Sequence, residues 1–277
     1  MAKQSINIGS AANDGTGSTL RAAFDICNDN FTELYDGSGG LLHKIEGTNF
    51  TGSLLVGHST TGTISSATYN TALGIGALDA LTTADNSVAI GYNAGTNITT
   101  GSSNILIGAY TGDALVGGGN NVAIGYAALT TEDGHGGNVA IGFQALYAQN
   151  AGADAYNVAV GYNAGVAVTT GLRSVFIGGT AGDAVTTGND NTAIGFAALT
   201  AEDTGQKNTA IGSYALTSLD FNGDGHNTAV GFNAGLNLAT GKENTLIGSE
   251  AGDSLTTGEK NVALGKGALT TEDTGHR

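Results

Sequence analysis

A glycine closes a recurring string, clearest as Asn121-Val122-Ala123-Ile124-Gly125, at Gly74, Gly91, Gly108, Gly125, Gly142, Gly161, Gly178, Gly195, Gly212, Gly231, Gly248 and Gly265. The steps are 17 residues except for two of 19, so twelve units follow one another from residue 70 to the end. A unit of that size cannot bury a core alone, and a fixed period of this length marks a solenoid in which each unit rests on the next. Four residues before each glycine stands Asn, replaced by Ser only at Ser87 and Ser174.

Within Val122-Ala123-Ile124-Gly125 large and small residues alternate, the period-two signature of a strand whose side chains leave on opposite faces. We expect the branched column (Ile90, Ile107, Ile124, Ile141) to fill the coil, and the Ala/Gly face to lie against another surface. A second short strand is expected in each coil, marked by Leu78, Leu129, Leu146, Leu199, Leu216 and Leu269 in some units and by Ile98, Leu115, Val168, Val185, Leu238 and Leu255 in others. Segments such as Thr187-Gly188-Asn189-Asp190-Asn191 supply the turns. The corner asparagines should form a ladder of hydrogen bonds along the stack. With strands about 4.8 Å apart, twelve coils give a rod on the order of 55–60 Å long.

A longer period overlies the short one. Tyr92-Asn93-Ala94-Gly95 returns as Tyr162-Asn163-Ala164-Gly165 and Phe232-Asn233-Ala234-Gly235, and Glu132-Asp133 returns as Glu202-Asp203 and Glu272-Asp273. The chain is three tandem four-coil modules of about 70 residues. Both 19-residue steps fall in the same coil type, so the extra residues near 149–154 and 220–225 should form loops on one side.

Composition narrows the function classes. The 277 residues include 47 Gly, no Pro and no Trp, and only 12% are charged, as suits a thin core continued along an axis. A net charge of −15 with nine Lys and Arg in all argues against phosphate-backbone binding, so no nucleic acid partner is expected. The single Cys27 excludes an intrachain disulfide and reads as a small apolar helix residue. No apolar run suits a secretory signal or a bilayer span, so no membrane insertion is expected.

Taken in order, residues 1–35 form a first segment. Asn13-Asp14-Gly15-Thr16-Gly17 is a turn, and a short α-helix capped by Ser18 or Thr19 should follow. Leu20, Phe24, Cys27, Phe31 and Leu34 are spaced 4, 3, 4, 3, the seam of a coiled coil, and serve either packing on the same chain or a three-helix bundle. Residues 36–69 form a hinge, Asp36-Gly37-Ser38-Gly39-Gly40, and irregular capping coils; residues 70–277 are the repeat shaft. The chain stops at Thr274-Gly275-His276-Arg277, one residue short of the next corner Asn, so the expectation is a fragment or a rod whose open edge is covered.

The Asn-x-Ala-Ile-Gly strands with their small-residue second halves resemble the head repeats of trimeric autotransporter adhesins. Ile6-Asn7-Ile8-Gly9, Asn13 to Gly17, Leu20-Arg21, Ala23-Phe24 and Asn28-Asp29-Asn30-Phe31-Thr32-Glu33-Leu34-Tyr35 resemble the opening of bacteriophage tail-fibre and tail-appendage proteins. The first resemblance implies a left-handed parallel β-roll assembled as a homotrimer. The second implies a virion protein joined through its N-terminus to a phage tail or baseplate protein, its shaft reaching a host cell-surface glycan or protein. The resulting expectation is an all-β parallel β-solenoid serving as a trimeric tail fibre, rigid and non-enzymatic, located in the virion. The alternatives are a cellular trimeric adhesin head fragment and a tailspike polysaccharide depolymerase.

No catalytic set competes with the repeat as an explanation of the carboxylates. Adjacent Glu132-Asp133, Glu202-Asp203 and Glu272-Asp273 read as solvated corners, although a depolymerase would need two carboxylates about 5–9 Å apart across a groove. No cofactor is expected apart from a candidate Ca²⁺ site. Its residues are Asp220, Asn222 and Asp224, whose oxygens at alternate positions match the first half of a calcium loop that lacks its distal Glu.

Overall fold

The computed structural model describes residues 43–44, 53–56, 65–271 and 273–275. The Leu20, Phe24, Cys27, Phe31 and Leu34 seam lies outside them, as do Glu272 and the rest of the first segment.

The described chain is an all-β parallel β-solenoid, with no helix among the described residues. Fourteen strands lie side by side in chain order: β1 (His43–Lys44), β2 (Leu54–Val56), β3 (Thr71–Leu73), β4 (Val88–Ile90), β5 (Ile105–Ile107), β6 (Val122–Ile124), β7 (Val139–Ile141), β8 (Val158–Val160), β9 (Val175–Ile177), β10 (Thr192–Ile194), β11 (Thr209–Ile211), β12 (Thr228–Val230), β13 (Thr245–Ile247) and β14 (Val262–Leu264). From β2 onward every pair is parallel and in register, Ala123 lying opposite Ala140 and Ile124 opposite Ile141. β1 runs antiparallel to β2 and pairs its outer edge.

The sequence expectation for the two strand faces is inverted. The central Ala of the strands, from Ala72 through Ala123 to Ala263, is buried, while the flanking branched residues are half-buried or exposed. The cause is size. A 17-residue coil closes tightly, and its interior has room beside the strand for a methyl group and for larger side chains arriving from the far side. These are the Leu four residues past the glycine, as at Leu78, Leu129, Leu146, Leu199 and Leu216, and the apolar residue seven past it, as at Leu81, Ile98, Leu115 and Leu238, all fully buried.

Leu106, Phe176 and Leu246 replace the central Ala once per module, and each is fully buried in the coil. Each is accommodated because its own coil and the one before it carry Gly where other coils carry the Leu four past the glycine. A Cβ on Gly95 or Gly112 would run into Leu106, one on Gly165 or Gly182 into Phe176, and one on Gly235 or Gly252 into Leu246. The four-coil period is thus a packing period, in which two coils with Leu at the turn alternate with two that have Gly there and share one large strand residue.

The expected second strand is also absent: each coil has one strand, and its far side is a run of turns. Leu78, Leu129 and Leu146 sit at φ of 54, 54 and 49°, and the residues two before them are left-handed as well, as at Gln144 (φ 52°). No strand holds alternate left-handed residues. The backbone groups are nonetheless satisfied coil to coil: Gln144 N–H donates back to Tyr126 O at 2.9 Å, and Leu129 N–H donates forward to Ala145 O at 3.0 Å. Where the strand meets this turn, Gly125 has φ 134°, and a Cβ there would overlap the Gly142 carbonyl of the next coil.

The corner ladder is present. Each corner side-chain oxygen accepts the backbone N–H of the next corner, from Ser53 to Asn70 (2.7 Å) and on through Asn104 to Asn121 (3.0 Å) to Asn244 and Asn261 (3.0 Å). Ser87 and Ser174 continue it through their hydroxyls, at 3.2 and 3.1 Å. Most corner amides also donate to a carbonyl 14 residues on, as Asn191 does to Gly205 O at 2.7 Å. These groups are fully buried, so each bond replaces water that cannot reach them.

Candidate functional site

Two surfaces of the rod stand out. The first is the outer face of the sheet. Its two columns are the first and third residues of each strand: one column is Val, Ile, Leu and Thr, and the other is Val, Ile and Leu throughout. Neither holds a charged residue from β2 to β14, and Leu73, Ile90, Ile105, Ile177 and Ile247 are among its exposed members. Twelve strand spacings of about 4.8 Å by three residues at about 3.3 Å make a strip of roughly 600 Å². Taken whole it is comparable with the largest apolar patch a monomeric protein ordinarily shows to water, with Thr71 and the Thr column from β10 to β13 interrupting its apolar character.

The second surface lies at the corner just past the strand. Tyr92, Tyr110, Tyr126, Phe143 and Tyr162 form an unbroken row of rings. Tyr92–Tyr110 and Tyr110–Tyr126 meet edge to face at centroid separations of 5.2 and 6.0 Å, and Tyr126–Phe143 and Phe143–Tyr162 stack at 5.4 and 5.2 Å. The row stops at Gly179-Thr180 and resumes as Phe196, Tyr214 and Phe232. Beside the first row is a recess of about 290 Å³, lined by Tyr110, Asp113, Tyr126, Ala127, Thr130, Gln144 and Tyr147. The residue-by-residue alternation said nothing of this row; the signal available was the recurrence of Tyr or Phe one or two residues past the glycine.

The paired carboxylates are not alike. Asp133 and Asp203 are exposed, whereas Glu132 and Glu202 are fully buried, which corrects their reading as solvated corners. Glu132 accepts the backbone N–H of His135 at 3.1 Å and of Ala151 at 3.4 Å; Glu202 accepts those of Gly205 at 2.6 Å and Phe221 at 3.3 Å. Ala151 and Phe221 open the widened coils, so these side chains pin the extra residues to the stack. Burial pushes the Glu202 carboxyl up to about 7 against the pull of the Gly205 and Phe221 amides, with Asp220 and Asp203 adding to the rise.

The candidate calcium residues are dispersed among other partners. Asp224 pairs with Lys207 Nζ at 2.5 Å and lies 3.7 Å from His226 Nε2, Asn222 is exposed, and Asp220 sits instead with Glu202 and Asp203, one ligand atom of each within 4.8 Å of the others. Glu132, Asp133 and His135 form a matching group. In both groups the buried glutamate already serves backbone amides, which is a structural use. No helix among the described residues is long and apolar enough to cross a membrane.

Comparison of the chain with protein-family models, with curated proteins and with solved structures finds no match.

Proposed function

We propose that this chain is the shaft of a homotrimeric virion appendage, a phage tail fibre, in which three solenoids turn their Val/Ile faces to a common axis. The observation that carries this reading is the uncharged branched strip on the outer face of the sheet. It keeps a single register along the rod, so a second copy meets it at the same height in every coil. Three such copies bury the strip from both sides, on the scale of a standard interface of about 800 Å² per partner. The assembly face is therefore the Val/Ile face, in place of the Ala/Gly face expected from the sequence. Left-handed winding and the trimeric state belong to the same proposal, as does attachment to the tail through residues 1–35.

A non-catalytic role is supported by Glu132 and Glu202, whose carboxylates are occupied by backbone amides. Native mass by light scattering tests the reading: three times 27.3 kDa is expected for the full chain. Ile124→Glu with Ile194→Glu should lower it to the monomer value, with the far-ultraviolet dichroism of the repeat retained. A monomeric wild-type chain would sink the proposal.

A further inference from the structure

The lining of the recess beside Tyr126 is particular to one module, because the next module folds the same way with other residues at several of these positions. Seventy residues on, Tyr110, Gln144 and Tyr147 are replaced by Thr180, Tyr214 and Thr217, while Asp113 and Thr130 return as Asp183 and Thr200. In the third module Glu250 and Lys266 stand where Tyr110 and Tyr126 do. The Val/Ile strip, by contrast, continues through all three modules. Assembly requires that continuity; the five-ring row and its recess lie in one stretch, with three further rings, Phe196, Tyr214 and Phe232, in the next, and answer to a different constraint.

What lines the recess defines a chemistry. The Tyr126 and Tyr147 side chains are part-exposed apolar surfaces. Between them stand polar groups that the fold leaves available. Among the described residues no hydrogen bond engages the Gln144 side-chain amide. Asp113 Oδ1 is buried without a hydrogen-bond partner, an acceptor whose cost a ligand hydroxyl would relieve. Thr130 uses its proton on Tyr110 O at 3.0 Å and keeps its lone pairs. Exposed aromatic rings beside hydroxyl-seeking acceptors and an amide suit a pyranose, which has an apolar face and a rim of hydroxyls. The carboxylate and the net charge of −15 disfavour phosphate, sulfate or sialic acid groups. The rings also repeat at the spacing of the coils, about 4.8 Å, close to the advance of one residue in an extended saccharide chain.

We infer that Tyr110, Tyr126, Tyr147, Asp113, Thr130 and Gln144 form a binding site for a neutral oligosaccharide, one sugar ring held between the exposed parts of Tyr126 and Tyr147 and its hydroxyls taken by Asp113 and Gln144. The inference rests on the host-contact part of the proposed function and is independent of the trimer.

The test uses the full chain and a panel of neutral gluco-, galacto-, manno- and N-acetylglucosamine tetrasaccharides beside sialylated and sulfated glycans, with affinities from calorimetry and native mass recorded for every variant. The expected result is binding of at least one neutral tetrasaccharide, weakened tenfold or more by Tyr126→Ala and by Gln144→Ala and unchanged by Phe196→Ala, the equivalent ring of the next module. Failure of every neutral tetrasaccharide to bind overturns the site, as does an equal loss from Phe196→Ala. A change of native mass on Tyr126→Ala also overturns it, by assigning the ring to contact between copies. A monomeric wild-type chain that still binds saccharide leaves the site standing and removes only the trimer.

Discussion

The ring of Phe176 occupies the space that a Cβ on Gly182 would need, six residues further along the same coil. The two positions are one packing unit, and their substitutions should not add. Phe176→Ala opens a cavity costing roughly 3–5 kcal/mol. Gly182→Leu alone should prevent the coil from closing. Together they exchange one filling for the other, since Leu199 shows that Leu at φ 56° is tolerated at this place in the coil. Denaturant unfolding of the double variant should show at least half of the Phe176→Ala loss recovered; simple addition of the two losses would refute the exchange.

The corner ladder predicts an ordering among its own members. Asn191 uses both ends of its amide, so Asn191→Ser keeps the link to Asn208 but strands the Gly205 carbonyl, at a cost of about 1 kcal/mol. Asn138 lies in a widened coil, and its Nδ2 is buried without a partner. Asn138→Ser should therefore be neutral or stabilising, the hydroxyl serving Asn157 as Ser174 serves Asn191. Equal losses for the two variants, read from urea midpoints, would contradict this account.

Glu202 gives the stack a pH dependence of defined sign. The folded chain holds this proton up to about pH 7, while an unfolded glutamate releases it near 4.5. Between those values the folded state binds more protons, so stability falls as pH rises, by on the order of 2–3 kcal/mol, and levels off above about pH 7. The difference in unfolding free energy between wild type and Glu202→Gln, followed from pH 4.5 to 8, should show this slope. A flat difference would mean that the carboxylate is solvated after all.

The exposed ion pairs should contribute little. Arg173 holds Asp190 with two bonds of 2.8 and 3.0 Å, but both side chains are well exposed. Asp190→Asn is expected to cost under about 1 kcal/mol at low salt and less at 1 M NaCl. A larger or salt-independent loss in thermal denaturation would assign this column a structural weight that its exposure does not suggest.

The period, the corner asparagines and the four-coil module were legible in the sequence because each is a matter of identity at fixed spacing. Which face of the strand looks inward was not, since alternation shows only that the faces differ. The deciding clue was available, though it lies in two places at once: Leu106, Phe176 and Leu246 occur only where Gly replaces Leu four residues past the closing glycines of two successive coils. The second strand was misread for a related reason. Leu129 and Leu146 suggest extended chain by composition, whereas their left-handed backbone is imposed by the closure of a short coil. Burial of Glu132 and Glu202 was hidden because their partners are backbone amides, one in the same turn and one in the next coil, which no side-chain motif records. The ring row was visible in the sequence as scattered aromatics, but its continuity needs the stack to be built first.

The alternation of strand-filled and turn-filled coils also governs how such a chain can change length over generations. Recombination between repeats that adds or removes a whole module leaves every Phe176-like residue facing its glycines. A shift by a single coil would set a large strand residue against a turn leucine and fault the core at the junction. Heritable length is therefore quantised in steps of four coils, about 19 Å each. Reach could be lengthened or shortened by such exchanges without any new packing solution having to be found.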